Sequence, residues 1–417
     1  PWKLKCPVGG EEYPSNDFQR FLDSGLQDRS LLTGDYPDDG WGWRRVGEPK
    51  KHWFVAYYCH WLWYSHIIPA VLDLSRAYLL TRKDVYGRKC LVMLHRIAEH
   101  YPDMDHNKQS RYATEFVPSY QGKIVNYIWE TNVIRHLAES VANLRGYITD
   151  DTAGIVGMRR DELVKFLEDR ILLEGIAGIH SGKIVGNYGM HQNSMLVILK
   201  ALGREEETKR ELDRLLNNPG GGYWHQGLRY ALDNYICREG MSFENAPGYC
   251  FTWSSNLISI AQHLDSLGVK FPDIDKLRNM LEAPDRLVCL GKFTPAIGDS
   301  GSVTSGRARL SPGDAAKAYR MFRSPSFAKL TGPGFATYED LFLPLLSRNE
   351  LRQMSKQYRV STRSDCLGGY GLVILRAKVL ECSMFFGRMD GHGHHDRLGI
   401  ELFGLGQRVM PDLGYPQ

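Results

Sequence analysis

The sequence predicts an α+β protein in which a long helical region is followed by an antiparallel β-sheet. Through most of residues 50–345, apolar residues recur at three- and four-residue spacing, which is typical of amphipathic helices. Short breaks rich in Gly, Pro or Asn separate these segments. After about residue 358 the pattern changes to short apolar runs bounded by turns, which predicts strands.

The helical segments predict antiparallel hairpins that form a closed or open ring of helix pairs, because they are long and their connections are short. These segments are 84–99, 123–147, 161–175, 192–203, 205–216, 254–267 and 313–323. The stretch 54–72 carries no Lys, Arg, Asp or Glu, but it contains His60, His66 and Pro69. A membrane span would be more apolar, so we predict a buried aromatic helix there and no membrane span.

Four short runs near the end of the sequence predict strands: 371–378, 380–386, 398–403 and 407–411. Leu405-Gly406 between the last two predicts a hairpin turn. A single sheet of this size leaves one face uncovered. We therefore predict two domains, with the helical domain at 1–350 and the start of a larger β domain, incomplete in this sequence, at 351–417.

Composition excludes some classes of function. The chain has 417 residues, and its 52 Lys and Arg against 48 Asp and Glu give a net charge of +4. This excess is too small to indicate nucleic acid binding. Aromatic residues are abundant, with 9 Trp, 22 Tyr and 16 Phe. They suit hydroxyl-rich ligands such as sugars, although they also fill cores.

The most specific motif is Asp-Gly-His-Gly-His-His-Asp at 390–396. If the segment is extended, His392, His394 and Asp396 point to the same side. Two imidazoles and a carboxylate in one small volume suit a metal ion or acid–base chemistry. Asp412 follows the return strand of the predicted hairpin, where it can meet this cluster.

The same letters match the H-x-H-x-D signature of binuclear zinc hydrolases of the metallo-β-lactamase type. That signature requires a second histidine at the next position, and this sequence has Arg397. We therefore disfavour this alternative.

A second segment, 186–192, contains Asn187 and His191 four residues apart. The two side chains share a helical face if the helix already begins there. Together they can donate two hydrogen bonds to a carboxylate. Taken alone, Asn187 is more simply a helix cap and His191 a structural histidine.

Two further segments carry polar groups on Gly- and Pro-rich loops. Glu244 and Tyr249 lie in the loop 238–249, which precedes a predicted helix. Asp299 lies in the tight turn 295–301. Each has a simpler explanation when considered singly: Tyr249 as a core residue and Asp299 as a helix N-cap rather than a metal ligand.

Taken together and in this order, these residues resemble the heparinase II/III-like polysaccharide lyases, a group that also includes alginate and oligoalginate lyases. The resemblance covers roughly residues 185–417. The matching elements are Asn187-x-x-x-His191, the loop with Glu244 and Tyr249, Ile297-Gly-Asp-Ser300 and the terminal H-x-H-x-D…E-L-F…G…D-x-G-Y run from His392 to Tyr415.

The resemblance implies an N-terminal (α/α) toroid of helical hairpins followed by antiparallel β-sandwich domains. It also implies β-elimination on a uronic-acid-containing anionic polysaccharide of the glycosaminoglycan, alginate or ulvan type. Such a lyase removes the weakly acidic C5 proton, so the neighbouring carboxylate must be neutralised and the leaving O4 protonated.

The resemblance further implies a role for each site residue. Asn187 would hold the substrate carboxylate, and His191 would assist it or serve as the base. Tyr249 would be the acid, or base and acid in turn for the opposite C5 epimer. His392 would help to neutralise the carboxylate. An unperturbed phenol is a poor base at neutral pH, so nearby positive charge would have to lower the pKa of Tyr249.

The remaining implied residues bind substrate or metal. The substrate-binding set is Glu244, Arg238, Arg388, Trp43 and Tyr188. A structural zinc ion would be held by His394 and Asp412, with a further histidine beyond Gln417. No organic cofactor is expected, and the expected partner is an anionic polysaccharide or oligosaccharide. Because members of the family are usually exported, we expect a periplasmic or secreted location, although the chain begins at Pro1 without a leader.

Two alternatives remain open at this point. An (α/α)-toroid glycoside hydrolase would use a pair of carboxylic acids, for which Glu244 and Asp299 are the candidates. A non-catalytic polysaccharide-binding protein would use the aromatic residues without any chemistry.

Overall fold

The computed structural model describes residues 3–40, 42, 45–47, 61–106, 121–220, 225–332, 343, 345–388 and 391–415. The chain divides into two compact units, residues 1–208 and 209–417. This division does not test the predicted boundary at 350/351 between the helical and the β domain, which stays a prediction.

The described residues of the first unit form helices and a two-stranded hairpin. Its strands are β1 (Leu4–Lys5) and β2 (Glu12–Tyr13), and its helices are α1 (Phe18–Asp23), α2 (Ile68–Thr81), α3 (Asp84–His100), α4 (Tyr127–Leu144), α5 (Asp150–Ala153), α6 (Arg160–Leu167), α7 (Glu174–His180) and α8 (Met190–Leu202). Helix α4 packs against α2 and α8, and its residues Val133, Ile134 and Leu137 are fully buried. The apolar stripe at helical spacing is therefore what places α4 in the core.

The helices of the second unit precede a five-stranded sheet. They are α10 (Leu228–Tyr235), α11 (Pro247–Ser266), α12 (Ile274–Arg286), α13 (Pro312–Phe322), α14 (Pro325–Thr331) and α15 (Arg348–Ser355), and α9 (Glu205–Asn217) contains the boundary between the units. Helix α11 packs against α12 and α13. Pro247 stands in the first turn of α11, where a missing backbone N–H costs nothing.

The sheet is antiparallel throughout, in the order β3 (Asp365–Leu367), β4 (Leu372–Arg376), β5 (Leu380–Phe385), β6 (Ile400–Gly404) and β7 (Gln407–Met410). Its inner face buries Leu372, Ile374 and Phe403 in one core with Cys250 and Phe251 of α11. The sheet thus packs on helix α11, near its first turns.

The outer face of the sheet is also apolar. Leu375 pairs with Cys382, Cys382 with Leu402, and Leu402 with Met410, so these four side chains form one row across four strands. Leu375 is 58% exposed and Met410 is 47% exposed. Among the described residues this row therefore has incomplete cover.

Two buried glutamates on the inner face hold the segment 288–301 against the sheet. Glu381 accepts a hydrogen bond from the Leu290 backbone N–H at 2.9 Å, and Glu401 accepts one from Ala296 N–H at 2.6 Å. Burial raises the pKa of Glu401 to about 7, although the Arg408 guanidinium, which is hydrogen-bonded to it, opposes the shift. These contacts position the turn that carries Asp299.

The coarse prediction of a mostly helical protein with an antiparallel sheet is confirmed. The predicted strands and the turn at Leu405-Gly406 are present, and both turn residues have positive φ, as a two-residue hairpin turn requires. Among the described residues the sheet has five strands where four were expected, because the three-residue β3 was too short to be recognised. Of the stretch 54–72, only 61–72 is described; it is helical as predicted. Ile68, Val71 and Leu72 are buried there, but the aromatic residues Trp61 and Tyr64 are exposed, so the predicted burial does not hold for these two rings. Among the described helices, none has the length and apolarity to cross a membrane.

Candidate active site

Three segments of the second unit that are distant in sequence meet around His392. They are the turn at 244–249, the turn at 297–300 and the loop at 391–394. Main-chain groups join them: His392 N–H donates to the Glu244 carbonyl at 3.1 Å, and Asp299 N–H donates to the His392 carbonyl at 2.9 Å. Gly248 N–H completes the set by donating to the Ser300 hydroxyl at 2.6 Å.

Two glycines make this close approach possible. A Cβ at Gly298 would lie 2.1 Å from the His392 carbonyl oxygen, and a Cβ at Gly391 would lie 2.8 Å from the Glu244 Cα. Both glycines also have positive φ, at 53° and 57°. Only glycine satisfies both demands without strain.

Asp299 binds two of the three histidines of the D-G-H-G-H-H-D motif, His392 and His394. Its Oδ2 lies 2.8 Å from His392 Nδ1, and its Oδ1 lies 2.9 Å from His394 Nε2. Burial works to raise the pKa of Asp299, but the hydrogen bonds from the two imidazoles outweigh it and hold that pKa below its usual value. The interpretation of Asp299 as a helix N-cap is wrong, since the next described helix begins at Pro312.

Tyr249 stacks on His392. The two ring centroids are 3.5 Å apart and the planes are inclined by 12°. Tyr249 lies in the first turn of α11 rather than in the preceding loop, because that helix already begins at Pro247. Desolvation raises the pKa of Tyr249, and the negative charges of Asp299 and Glu244 add to the effect. The phenol therefore keeps its proton at neutral pH.

Glu244 is almost completely buried and lies near the Nε2 atom of His392. Its Oε1 accepts a hydrogen bond from the Trp253 indole N–H at 2.7 Å, and its Oε2 lies 3.6 Å from His392 Nε2. Trp253 stands one helical turn after Tyr249, so both rings lie on the same side of α11. The imidazole of His392 is thus held between two carboxylates and against a phenol.

The two predicted substrate-binding arginines are exposed. Arg238 Nε donates to Glu239 at 2.8 Å, and its side chain is 83% exposed. Arg388 is exposed in the loop after β5. Neither appears among the groups that shift the pKa of Tyr249, which is raised rather than lowered. The expectation that a nearby cation lowers this pKa therefore does not hold for the described residues.

Asp412 lies beside the histidine motif, at the position that the hairpin predicted. It lines one small cavity of about 20 Å³ together with His394, Asp396 and Glu401, which is room for one water molecule. Burial raises the pKa of Asp412, and the hydrogen-bonded Asp396 carboxyl raises it further.

This arrangement includes both predicted zinc ligands, His394 and Asp412. Within the described residues, no three His, Cys, Asp or Glu side chains are gathered closely enough to hold a metal ion. A structural zinc site takes four ligands. His394 and Asp412 alone do not complete such a site, and the zinc ion stays a prediction.

The remaining predicted residues belong to the first unit. Helix α8 begins at Met190, after Gly189 at φ 93°, so Asn187 lies outside the helix and does not share a helical face with His191. The Asn187 carbonyl accepts the Met190 N–H at 2.9 Å. His191 is buried and Tyr188 is fully buried. Trp43 lies outside the described residues.

The roles of two residues in the site were not predicted from the sequence. Trp253 carried no signal beyond its place one turn after Tyr249. Asp299 was named as a cap or metal ligand, as a hydrolase carboxylate and within the Ile297–Ser300 element of the resemblance, but not as a partner of the histidines. Its link to the histidines depends on contacts across 93 and 95 positions of sequence, which local patterns do not reveal.

Comparisons with known proteins give matches in structure alone. No model of a protein family matches the sequence, and no curated protein matches it. A mutant of the heparan sulfate lyase HepC from Pedobacter heparinus matches with a TM-score of 0.50 and 15% identity, over 94% of this chain and 56% of that one. The unmutated HepC matches with a TM-score of 0.47 at 15% identity, over 94% and 55%. A structure of heparinase III matches with a TM-score of 0.48 at 12% identity, over 95% and 58%.

The chain therefore spans a little over half the length of these solved structures. At this identity the likeness to the HepC mutant concerns the fold: a helical region with an antiparallel sheet. The predicted resemblance to the heparinase II/III-like lyases is confirmed at that level.

Proposed function

We propose that this protein is a polysaccharide lyase that cleaves a uronic-acid-containing anionic polysaccharide by β-elimination. One observation carries the proposal: a protonated phenol, Tyr249, is stacked at 3.5 Å on an imidazole, His392, between two carboxylates. The fold shared with a heparan sulfate lyase supports it and favours a glycosaminoglycan over alginate or ulvan.

The reaction needs a base, an acid and a means of stabilising negative charge. A base takes the C5 proton, the electron pair forms the C4–C5 double bond, and the C4–O bond breaks. The leaving oxygen then takes a proton, and no water is consumed. Donors around the substrate carboxylate stabilise the enediolate that forms when C5 loses its proton.

Tyr249 is suited to the acid role. Its raised pKa keeps the phenol protonated at neutral pH, so it can donate to the leaving oxygen. His392 supplies an imidazole beside it to interact with the substrate carboxylate. We propose that Asn187 and His191 provide the remaining carboxylate donor and the base, and that Arg238 and Arg388 contact the anionic chain from the surface.

A hydrolase that uses Glu244 and Asp299 has less support. A glycosidase needs one carboxylic acid and one carboxylate facing the substrate. Glu244 is 3% exposed and accepts the Trp253 indole N–H. Both oxygens of Asp299 are engaged by imidazoles.

The test is an ultraviolet absorbance assay on heparan sulfate, heparin, chondroitin, hyaluronan, alginate, ulvan and glucuronan, each as polymer and as short oligomers. A lyase product absorbs because its new non-reducing end carries a conjugated double bond. We expect Tyr249→Phe to lower the rate on the active substrate by about 10²–10⁴-fold. Tyr230→Phe is the matched control, because this ring lies against Tyr235 in α10 and should leave the rate unchanged.

New reducing ends without absorbance would instead indicate a hydrolase. Binding of a polysaccharide without any product, unchanged in Tyr249→Phe, would indicate the non-catalytic alternative. Either result overturns the lyase.

We further propose the finer architecture that the resemblance implies, an (α/α) toroid and a β-sandwich. The apolar row of Leu375, Cys382, Leu402 and Met410 supports a second sheet packed over the first. In that case Leu375→Lys should destabilise the complete protein, whereas on an uncovered face it should have little effect. Thermal unfolding of the two forms distinguishes the outcomes. A periplasmic or secreted location completes the proposal.

A further inference from the structure

One carboxylate, that of Asp299, contacts two histidines through different ring nitrogens. His392 presents Nδ1 at 2.8 Å, and His394 presents Nε2 at 2.9 Å. A carboxylate only accepts, so each of these nitrogens carries a proton. The bridge therefore specifies opposite tautomers for two histidines that are two residues apart.

The nitrogen left over on His392 is Nε2. Its nearest carboxylate oxygen, Glu244 Oε2, is 3.6 Å away, which is longer than a hydrogen bond. The main chain fixes the ring from both sides, through His392 N–H to Glu244 and the His392 carbonyl to Asp299 N–H. With Nδ1 bonded to Asp299, Nε2 is the ring nitrogen that remains to face the substrate.

We propose that Asp299 is a positioning residue that holds His392 as the Nδ1–H tautomer and His394 as the Nε2–H tautomer, so that His392 Nε2 and the Tyr249 phenol act together on the substrate. The role rests on the proposed lyase function. Asp299 itself touches no substrate, since both of its oxygens are occupied by the imidazoles.

Carboxylates orient histidine rings in the same way in other catalytic and metal sites. A carboxylate bound to one ring nitrogen fixes the tautomer and the ring direction, and the other nitrogen then faces the reacting group. Here the ring is additionally pinned by the stack on Tyr249, whose planes are nearly parallel. A rotation of the imidazole out of its plane would break the stack, and a flip within that plane would break the Asp299 contact.

The first experiment reads the tautomers directly by ¹⁵N NMR of the histidine-labelled protein. Free neutral histidine prefers the Nε2–H form, so an Nδ1–H signal is a distinctive expectation. His392→Gln and His394→Gln assign the two rings by loss of their signals. We expect Nδ1–H at His392 and Nε2–H at His394 in the unmodified protein; Nε2–H at His392 would overturn the proposal.

The second experiment uses Asp299→Asn, which keeps the shape but offers one acceptor and one donor in place of two acceptors. At least one histidine must then lose its contact or change tautomer. We expect kcat to fall about 10–100-fold, while KM changes by less than threefold. Asp233→Asn, on the exposed face of α10, is the matched control and should change neither the tautomers nor the rate.

These readouts separate the two proposals. The tautomer measurement needs no substrate, so a protein without lyase activity would overturn the proposed function and still decide the role of Asp299. If Asp299→Asn does not fold, the tautomers of the unmodified protein decide. A kcat within twofold of normal in folded Asp299→Asn would overturn the positioning role while the lyase function stood.

Discussion

Replacing Gly298 by alanine should displace the loop that carries His392. A Cβ at Gly298 lies 2.1 Å from the His392 carbonyl oxygen. Real contacts of this kind are about 3 Å or longer, so the two segments must separate by about 1 Å, and the Asp299 N–H bond to that carbonyl at 2.9 Å is lost. Alanine at positive φ adds a backbone cost of roughly 1–2 kcal/mol.

A displacement of about 1 Å at a catalytic group can cost about 10²-fold in rate. We therefore expect Gly298→Ala to lower kcat in the ultraviolet lyase assay by about that factor. Gly268→Ala is the matched control, because Gly268 has φ 72° but open space around its Cβ position. It should lose similar backbone stability, measured by thermal unfolding, and keep its rate.

Gly391→Ala provides an independent test, since its Cβ would lie 2.8 Å from the Glu244 Cα. It should behave like Gly298→Ala. If Gly298→Ala retains the normal rate and unfolds at the same temperature as Gly268→Ala, the docking of the His392 loop on the Asp299 turn is refuted.

Two further predictions concern buried carboxylates. Trp253→Phe removes the N–H that Glu244 accepts at 2.7 Å and should lower the free energy of unfolding by about 1–3 kcal/mol; a loss under about 0.5 kcal/mol in urea denaturation would contradict this. Burial raises the pKa of Glu130 from 4.5 to about 7, against hydrogen bonds from Val125 N–H and the Tyr101 hydroxyl. Between those values the folded protein keeps a proton that the unfolded chain has released, so stability should fall by up to about 3 kcal/mol as pH rises through this window. Glu130→Gln cannot titrate, so the difference in unfolding free energy between the two forms should change across this range; a constant difference would contradict the assignment.

Periodicity predicted the helices well where an apolar face is long. Helix α3 at Asp84–His100 and helix α9 at Glu205–Asn217 lie within one residue of their predicted bounds, because every third or fourth residue packs inward. The prediction was poorer where the first residues of a helix, rather than an apolar face, determine where the helix begins. Helix α11 begins seven residues before its expected start, since Pro247 opens it and the polar first turn gives no apolar signal.

The candidate site could be predicted only in its components. His392, His394 and Tyr249 were identified from local motifs, and Asp412 from its place after a hairpin. The contacts that join these residues could not be predicted, because the Asp299 bridge and the Tyr249 stack connect residues 93 to 143 positions apart. Hydrogen bonds of that range follow from the packing of the sheet on α11, and periodicity carries no information about them.

The junction of the three site segments is made by main-chain groups, with His392 bonded to Glu244 and Asp299 bonded to His392 through backbone atoms alone. Peptide groups are common to all residues, so these two hydrogen bonds persist when a side chain near them changes, apart from the glycines at 298 and 391. The Asp299 carboxylate and the Ser300 hydroxyl add side-chain bonds to the same junction. Such a frame favours diversification without a new fold: the exposed positions 238 and 388 are better targets for directed evolution of cleavage specificity than 244, 249 and 299, whose side chains build the site.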